Sequence, residues 1–182
     1  MERKTPQEIE TLMYGCFQNP NHPETAYIVY DKHYVVAGSD NPPRYDYIQE
    51  HNIDMFHITT AGGTIVVSEG DIGIGIFDDV DVVNSYLSNL KESVVSYLRE
   101  LNLNVTDEDN DILIDGFKVA SYSSKAINGS RYAFGVFQFS VNVDLELINN
   151  ICTKPMRKIP KGLSEYGITT DEIIENIVLY NL

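Results

Sequence analysis

Residues 110–123, NDILIDGFKVASYS, decide the fold prediction because they hold the strongest hairpin signal in the chain. Two apolar runs flank Asp115 and Gly116, and an Asp-Gly pair in this setting is typical of a two-residue β-turn. Lys118 follows directly after the turn, on the second strand. A strand lysine usually faces solvent, but a fixed cation can also stabilise a carboxylate, a phosphate or an oxyanion. The residues alone leave both interpretations of Lys118 open.

The pattern of apolar residues around this hairpin predicts strands and helices that do not alternate regularly. The helix at 81–103 is the clearest element, because its apolar side chains recur at intervals of three and four residues. A tight turn at Asp31-Lys32 joins the first two strands, and Thr169 and Glu172 have the spacing of a capping box. The predicted strands are 26–30, 33–37, 54–58, 63–68, 73–77 and 131–143, and the other predicted helices are 5–17, 45–50, 145–151 and 169–182. This mixture favours an α+β fold with a mixed, largely antiparallel sheet and packed helices.

Five of the twelve glycines lie in residues 57–77, HITTAGGTIVVSEGDIGIGIF. The Gly62-Gly63 pair by itself predicts a hairpin turn between two strands, and the alternative is a backbone that approaches a ligand closely. The pair lacks the Gly-Lys-Ser/Thr ending of a Walker A loop. GIGIF at 73–77 does not match a dinucleotide-binding fingerprint either.

Length and composition indicate one globular domain over residues 1–182, with 43% hydrophobic and 22% charged residues. No apolar run approaches the roughly 20 residues that span a bilayer, so we expect no membrane partner. The N-terminus lacks the apolar core of a secretory signal. Cys16 and Cys152 show neither a disulfide framework nor zinc-type spacing, and we therefore expect a cytoplasmic protein.

The charge balance is strongly acidic, with 13 basic and 27 acidic residues and a formal net charge of −14. This balance argues against nucleic acid as a partner, because phosphate neutralisation supplies most of that affinity. Four basic residues nevertheless cluster in KPMRKIPK at 154–161, which is either a solvated loop or a grip for an acidic partner. The four histidines show no metal-ligand spacing, so no metal site is expected.

Four motifs in a constant order resemble the catalytic domain of lipoate-protein ligases, octanoyltransferases and biotin-protein ligases, over roughly residues 26–170. Residues 27–53 are similar to the opening hairpin, the strand end after it and the first helix of that family. TTAGGTIVVSEGD at 59–71 occupies the place of RRxGGGxVxHxxGN in the ligases. Residues 110–123 are similar to NDLxxxGKKIxGxA, which carries the lysine common to these enzymes. IPKGLSEYGIT at 159–169 is similar to PCGIxxxGVT of octanoyltransferases.

The resemblance implies a class II biotin/lipoate ligase-like fold, divergent from lipoate-protein ligase A, and it implies roles for individual residues. Lys118 would be the catalytic cation that holds the carboxyl end of the acyl group or the adenylate phosphate. Gly62, Gly63 and Thr64 would line the slot for the acyl chain.

Other implied site residues flank Lys118. Asn110 and Asp111 would contact the nucleotide or orient the lysine. Lys161 stands at the position of the octanoyltransferase cysteine and cannot form a thioester. If Lys161 faces Lys118 across the pocket, the two cations would favour an anionic head group.

The chain also departs from the family pattern. Ile58 and Thr59 stand where two arginines meet the ATP phosphates in the ligases, and Ala61 replaces the first glycine. No histidine follows the glycine pair, since IVVSEGD offers only Ser68, Glu69 and Asp71 as polar groups. We also expect no accessory C-terminal domain of the kind that many lipoate ligases use for adenylation.

These observations predict a lipoate-protein ligase-like acyltransferase that moves a lipoyl or octanoyl group to a lysine of a carrier domain. The alternative is a catalytically degenerate member of the family, a pseudoenzyme that binds a ligand or a protein. The implied cofactors are ATP or an acyl-adenylate, with Mg²⁺ where ATP is used. The implied partners are a lipoyl-type carrier domain or a small acyl ligand, with neither nucleic acid nor a membrane.

Overall fold

The computed structural model describes residues 2–5, 8, 23–38, 41–57, 63–127 and 130–181. Most of the predicted helix 5–17 lies outside these residues, as does Gly62. The predicted start of that helix is described: the Thr5 amide donates to Glu8 Oε2 at 2.7 Å, and the Glu8 amide donates to Thr5 Oγ1 at 3.3 Å.

Ten strands and four α-helices are described, together with two short helical turns. The strands are β1 (Glu2–Arg3), β2 (Glu24–Val29), β3 (Tyr34–Ala37), β4 (Asp54–His57), β5 (Ile65–Val67), β6 (Ile72–Asp79), β7 (Val105–Glu108), β8 (Asp111–Ile114), β9 (Phe117–Ala126) and β10 (Tyr132–Phe139). The helices are α1 (Tyr45–Glu50), α2 (Val80–Glu100), α3 (Leu145–Ile151) and α4 (Thr170–Ile173), with a 3-10 helix at Leu163–Tyr166 and a π-helix at Ile174–Val178. None of the helices in these ranges is both long enough and apolar enough to cross a membrane.

Seven strands form a large sheet in the order β1-β2-β6-β10-β9-β8-β7. All neighbours in this sheet are antiparallel except β1 and β2. The predicted turn joins β8 and β9, and Asp115 and Gly116 take φ values of 52° and 83°. Positive φ at both positions is what a type I′ turn requires, which confirms the hairpin prediction. The predicted α+β fold is also confirmed.

Helix α2 covers one face of the large sheet. Its buried side chains pack against the isoleucines of β6, in a core that also includes residues of β8, β9 and β10. The Asp79 side chain accepts from the Asp81 amide at 3.2 Å and so caps the helix start. The helix ends three residues before the predicted position 103, because Asn102 takes a positive φ of 61° that a helix does not accommodate.

A small sheet with the order β4-β3-β5 packs on the other side, against Ile28 of β2. Two expectations are corrected here. The tight turn at Asp31-Lys32 carries the chain from the large sheet to the small one, so β2 and β3 do not pair. The stretch around Gly62-Gly63 does not join paired strands, because β3 lies between β4 and β5. All four residues of β3 are buried, and a fully buried strand needs partners on both edges.

The closing helical segment begins where its capping box predicts. The Thr169 amide donates to Glu172 Oε2 at 2.8 Å, and the Glu172 amide donates to Thr169 Oγ1 at 3.3 Å. The segment is α-helical through Ile173 and continues as a π-helix from Ile174, which the sequence pattern did not predict.

Candidate functional site

A cavity of about 340 Å³, which we call the main cavity because Lys118 lines it, lies between the two sheets. One wall is β5 with the residues just before it, and the opposite wall is formed by Lys118, Ser121 and Gln138 of β9 and β10. Residues 154–160 close one side of the space. The cavity therefore lies on the face of the large sheet opposite to helix α2.

The structure brings together four of the site residues predicted from sequence. Gly63, Thr64, Asp111 and Lys118 all line the main cavity. Thr64 is buried, and its hydroxyl donates to the carbonyl of Asn41, which lines the same cavity.

Asn110 is placed elsewhere. It takes a positive φ of 65° in the turn between β7 and β8, and its carbonyl accepts from the Tyr122 amide at 3.0 Å. It lines a separate polar cavity beside helix α2, together with Lys91 and Tyr122. The structure therefore separates Asn110 from Lys118, although Asp111 next to it reaches the main cavity.

Backbone pairing positions Lys118. Its amide donates to the Ile159 carbonyl at 2.9 Å, and its own carbonyl accepts from the Lys161 amide at 2.9 Å. These bonds place residues 159–161 as a short parallel partner beside β9. The Lys118 ammonium lies 3.8 Å from Asp111 Oδ1, beyond the length of a good hydrogen bond. The lysine charge is thus only loosely paired and remains available to a ligand.

Lys158 supplies a second cation next to Asp111. Its ammonium donates to the Glu108 carbonyl at 2.7 Å and lies 3.6 Å from Asp111 Oδ2. The side chains of Glu108 and Asp109 are within 3.8 Å of the same ammonium. The acidic turn between β7 and β8 therefore holds the segment 154–160 against the cavity.

The fold separates the cations of the basic segment, residues 154–161. Lys154, Arg157 and Lys158 line the main cavity, whereas Lys161 does not. The Lys161 ammonium lies 4.5 Å from the ring centre of Tyr166 and 5.4 Å from that of Phe117. These aromatic contacts direct it away from the cavity, so the expectation that it faces Lys118 across the pocket is corrected.

Asp71 is a cavity residue whose importance the sequence analysis missed. Its carboxylate is 2% exposed and accepts from the amides of Ser68, Val141 and Asn142 at 2.6–2.9 Å. Burial raises the pKa of this carboxyl to about 7, although the three amide bonds act to lower it. Asp71 thereby ties the residues after β5 to the residues after β10. Its place at the end of SEGD, directly before the buried strand β6, was the available signal.

Cys152 also lines the main cavity, and its Sγ lies 3.7 Å from the Thr64 carbonyl. Burial raises the pKa of its thiol, while the charges of Lys118 and Arg44 act in the opposite direction. The thiol therefore stays protonated at neutral pH and is a poor nucleophile. Across the described part of the chain, no group of three or more His, Cys, Asp or Glu side chains could hold a metal ion.

The family model of the lipoyl protein ligase A/B catalytic domain matches residues 4–178. The chain belongs to this family. A search of curated protein sequences finds no significant match.

Solved structures of lipoate and biotin ligases share the fold of this family member. The bipartite lipoate protein ligase of Thermoplasma acidophilum, studied with its E2 lipoyl domain, superposes with a TM-score of 0.75 at 16% identity, over 97% of this chain and 78% of that one. Lipoate-protein ligase A bound with ATP gives a TM-score of 0.76 at 15% identity, over 98% and 81%. The biotin protein ligase of Leishmania major gives 0.52 at 10% identity, over 100% and 71%.

Proposed function

We propose that the protein transfers a lipoyl or octanoyl group from an acyl-adenylate to a lysine of a lipoyl-type carrier domain. The observation that carries this proposal is the position of Lys118, which projects a loosely paired cation into a cavity between two sheets, opposite Gly63 and Thr64. Membership of the lipoyl protein ligase A/B family supports it. In this proposal Lys118 is catalytic, Gly63 and Thr64 line the acyl slot, and Asp111 orients Lys118.

The transfer step uses the cation where negative charge develops. The carrier lysine attacks the acyl carbonyl as a neutral amine, an amide C–N bond forms, and the C–O bond to the adenylate phosphate breaks. AMP leaves with the electron pair of that bond, and the proton of the amine passes to water. The Lys118 ammonium stabilises the charge on the carbonyl oxygen and on the departing phosphate.

Three cations of the basic segment 154–161 line the cavity in which the phosphate would bind. The chain has Ile58 and Thr59 where related ligases have arginines. Lys154, Arg157 and Lys158 line the main cavity instead. We assign them to the adenylate phosphate and, where the protein makes its own adenylate, to ATP with Mg²⁺. A lipoate-protein ligase structure with bound ATP has the same fold, which supports this use of ATP.

The alternative function is binding without turnover. It is favoured by the lack of positive charge at Ile58 and Thr59, where the ligases have arginines. It is also favoured by the carboxylate of Asp111, which offsets part of the Lys118 charge. A pseudoenzyme of this kind would keep the cavity for an acyl ligand or a carrier domain and would lack the rate enhancement.

In the decisive experiment, the protein is incubated with an apo carrier domain and one of two donors. The donor is either lipoyl-adenylate, or lipoate together with ATP and Mg²⁺. Intact mass spectrometry of the carrier should show the addition of one lipoyl group. Lys118→Ala should abolish this addition, whereas the matched control Lys161→Ala, whose side chain lies outside the main cavity, should retain it. If no donor modifies the carrier but lipoate raises the melting temperature, the protein is a binding module and the transfer proposal is wrong.

A further inference from the structure

Strand β6 alternates isoleucine and glycine in an unusual way. Successive side chains of a strand point to opposite faces, so Ile72, Ile74 and Ile76 share one face and Gly73 and Gly75 share the other. The isoleucines are buried in the core beneath helix α2. The glycines face the small sheet. A glycine in the interior of a strand weakens that strand, and two in one strand indicate that space is needed on this face.

A smaller cavity of about 50 Å³, the end chamber, lies over these glycines. Both sheets contribute to it, through Ile28 of β2 and Val36 of β3 among other apolar residues. Ile65 and Gln138 line the end chamber and the main cavity alike. The two spaces are therefore neighbours, with the cationic residues at the main cavity and an almost wholly apolar lining at the end chamber.

The chamber depends on the absence of side chains at both glycines. A Cβ at Gly73 would lie 3.0 Å from Ile28 Cγ2 and 3.1 Å from Gln138 Oε1. A Cβ at Gly75 would lie 3.3 Å from Phe134 Cζ. Any larger residue at either position would crowd the residues that line the chamber.

We propose that the end chamber receives the far end of the acyl chain and that Gly73 and Gly75 set the length of chain that the protein accepts. This inference rests on the proposed function, since it requires the carboxyl end of the chain to lie at Lys118. The chain would then run between the sheets, pass Ile65 and Gln138, and end on the glycine face of β6. The occupant is the apolar end of an octanoyl or lipoyl chain, because the lining is mainly aliphatic and aromatic.

The test measures the binding of saturated fatty acids with six to twelve carbons to the full chain by calorimetry. Each methylene transferred from water to an apolar site tightens binding by about fourfold. Affinity should rise by this factor per carbon until the chamber is filled and then level off. Gly75→Ala should move that plateau to a shorter chain while the affinity for the six-carbon acid is unchanged, and Gly73→Ala should do so more strongly.

Two further variants keep the test decisive. Val136→Ala removes two methyl groups from the chamber lining and should move the plateau to a longer chain. Ile76→Val lies on the other face of β6 and should lower the melting temperature while leaving the plateau unchanged. An unchanged plateau in Gly75→Ala and Val136→Ala would overturn the length assignment and leave the transfer proposal intact. Failure of the unmodified protein to bind any of the acids, while it still transfers a lipoyl group from lipoyl-adenylate, would overturn the chamber assignment alone.

Discussion

The Lys118 ammonium lies 3.8 Å from the Asp111 carboxylate at the wall of the main cavity. The other carboxylate oxygen of Asp111 lies 3.6 Å from the ammonium of Lys158. The Asp111 carboxylate therefore lies between the ammonium groups of Lys118 and Lys158. We propose that both of these cations bind the anionic head of the substrate. This arrangement keeps both cations in place when no ligand is bound, and it weakens their field at the cavity.

Replacing Asp111 should separate these two effects. We expect Asp111→Asn to tighten the binding of a fatty acid carboxylate by a few fold, since a partly exposed ion pair contributes about 0.5–1 kcal/mol. The transfer rate should fall in the same variant, because Lys118 loses the group that orients it. Calorimetry and single-turnover mass spectrometry measure the two quantities. Unchanged affinity and an unchanged transfer rate in this variant would show that Asp111 has no role in the site.

Arg157 should act on the phosphate and not on the acyl chain. We expect Arg157→Ala to weaken the binding of lipoyl-adenylate by about tenfold, as a charge-assisted hydrogen bond contributes about 1.5–3 kcal/mol and exposure reduces this. The binding of lipoate itself should change much less. Competition assays with the two ligands give the ratio directly. Equal losses of affinity for both ligands would show that Arg157 does not bind the phosphate.

Asp71 should make the stability of the protein depend on pH. Its pKa of about 7 in the folded state is above that of an unfolded aspartate, so the folded state holds its proton more tightly. The contribution of Asp71 is therefore fully present below about pH 4 and is lost as the pH rises from about 4 to about 7. We expect a loss of up to about 4 kcal/mol across this window.

The variant Asp71→Asn provides the comparison, because an asparagine cannot ionise. The difference in unfolding free energy between the two proteins, measured by urea denaturation, should change between pH 4 and pH 7 and stay constant above pH 8. A constant difference over the whole range would show that folding does not raise the pKa of Asp71.

Gly135 should be required for the packing of helix α2 on the sheet. A Cβ at this position would lie 2.7 Å from Val83 Cγ1 and 2.9 Å from Ile76 Cγ2, both of which are buried. We expect Gly135→Ala to lower the free energy of unfolding by about 1–3 kcal/mol, the usual cost of overpacking a core. Gly63→Ala is the matched control, because a Cβ there meets nothing within 4 Å. Equal urea midpoints for the two variants would contradict the packing assignment.

The elements that sequence predicted well depend on residues close together in the chain. The turn at Asp115-Gly116, the capping box at Thr169 and Glu172, and the apolar stripe of α2 each lie within a few residues or a few helical turns. Such signals act through local backbone preference and periodicity, which the sequence displays directly. The order of the family motifs also predicted one site for Lys118, Asp111, Gly63 and Thr64, which line the main cavity, and for Asn110, which does not.

Other features depend on which strands become neighbours. The sequence alone does not indicate that β3 lies between β4 and β5, that Lys161 turns toward aromatic rings, or that Asp71 is buried against residues 70 positions away.

The glycines of β6 are the clearest case. The sequence determined that the strand alternates isoleucine and glycine, and hence that one face is apolar and the other is bare. Only the tertiary structure decided that the bare face lies opposite the small sheet, where the missing side chains leave the end chamber. Periodicity assigns residues to a face of a strand, whereas the identity of the surface packed against that face is set by long-range contacts.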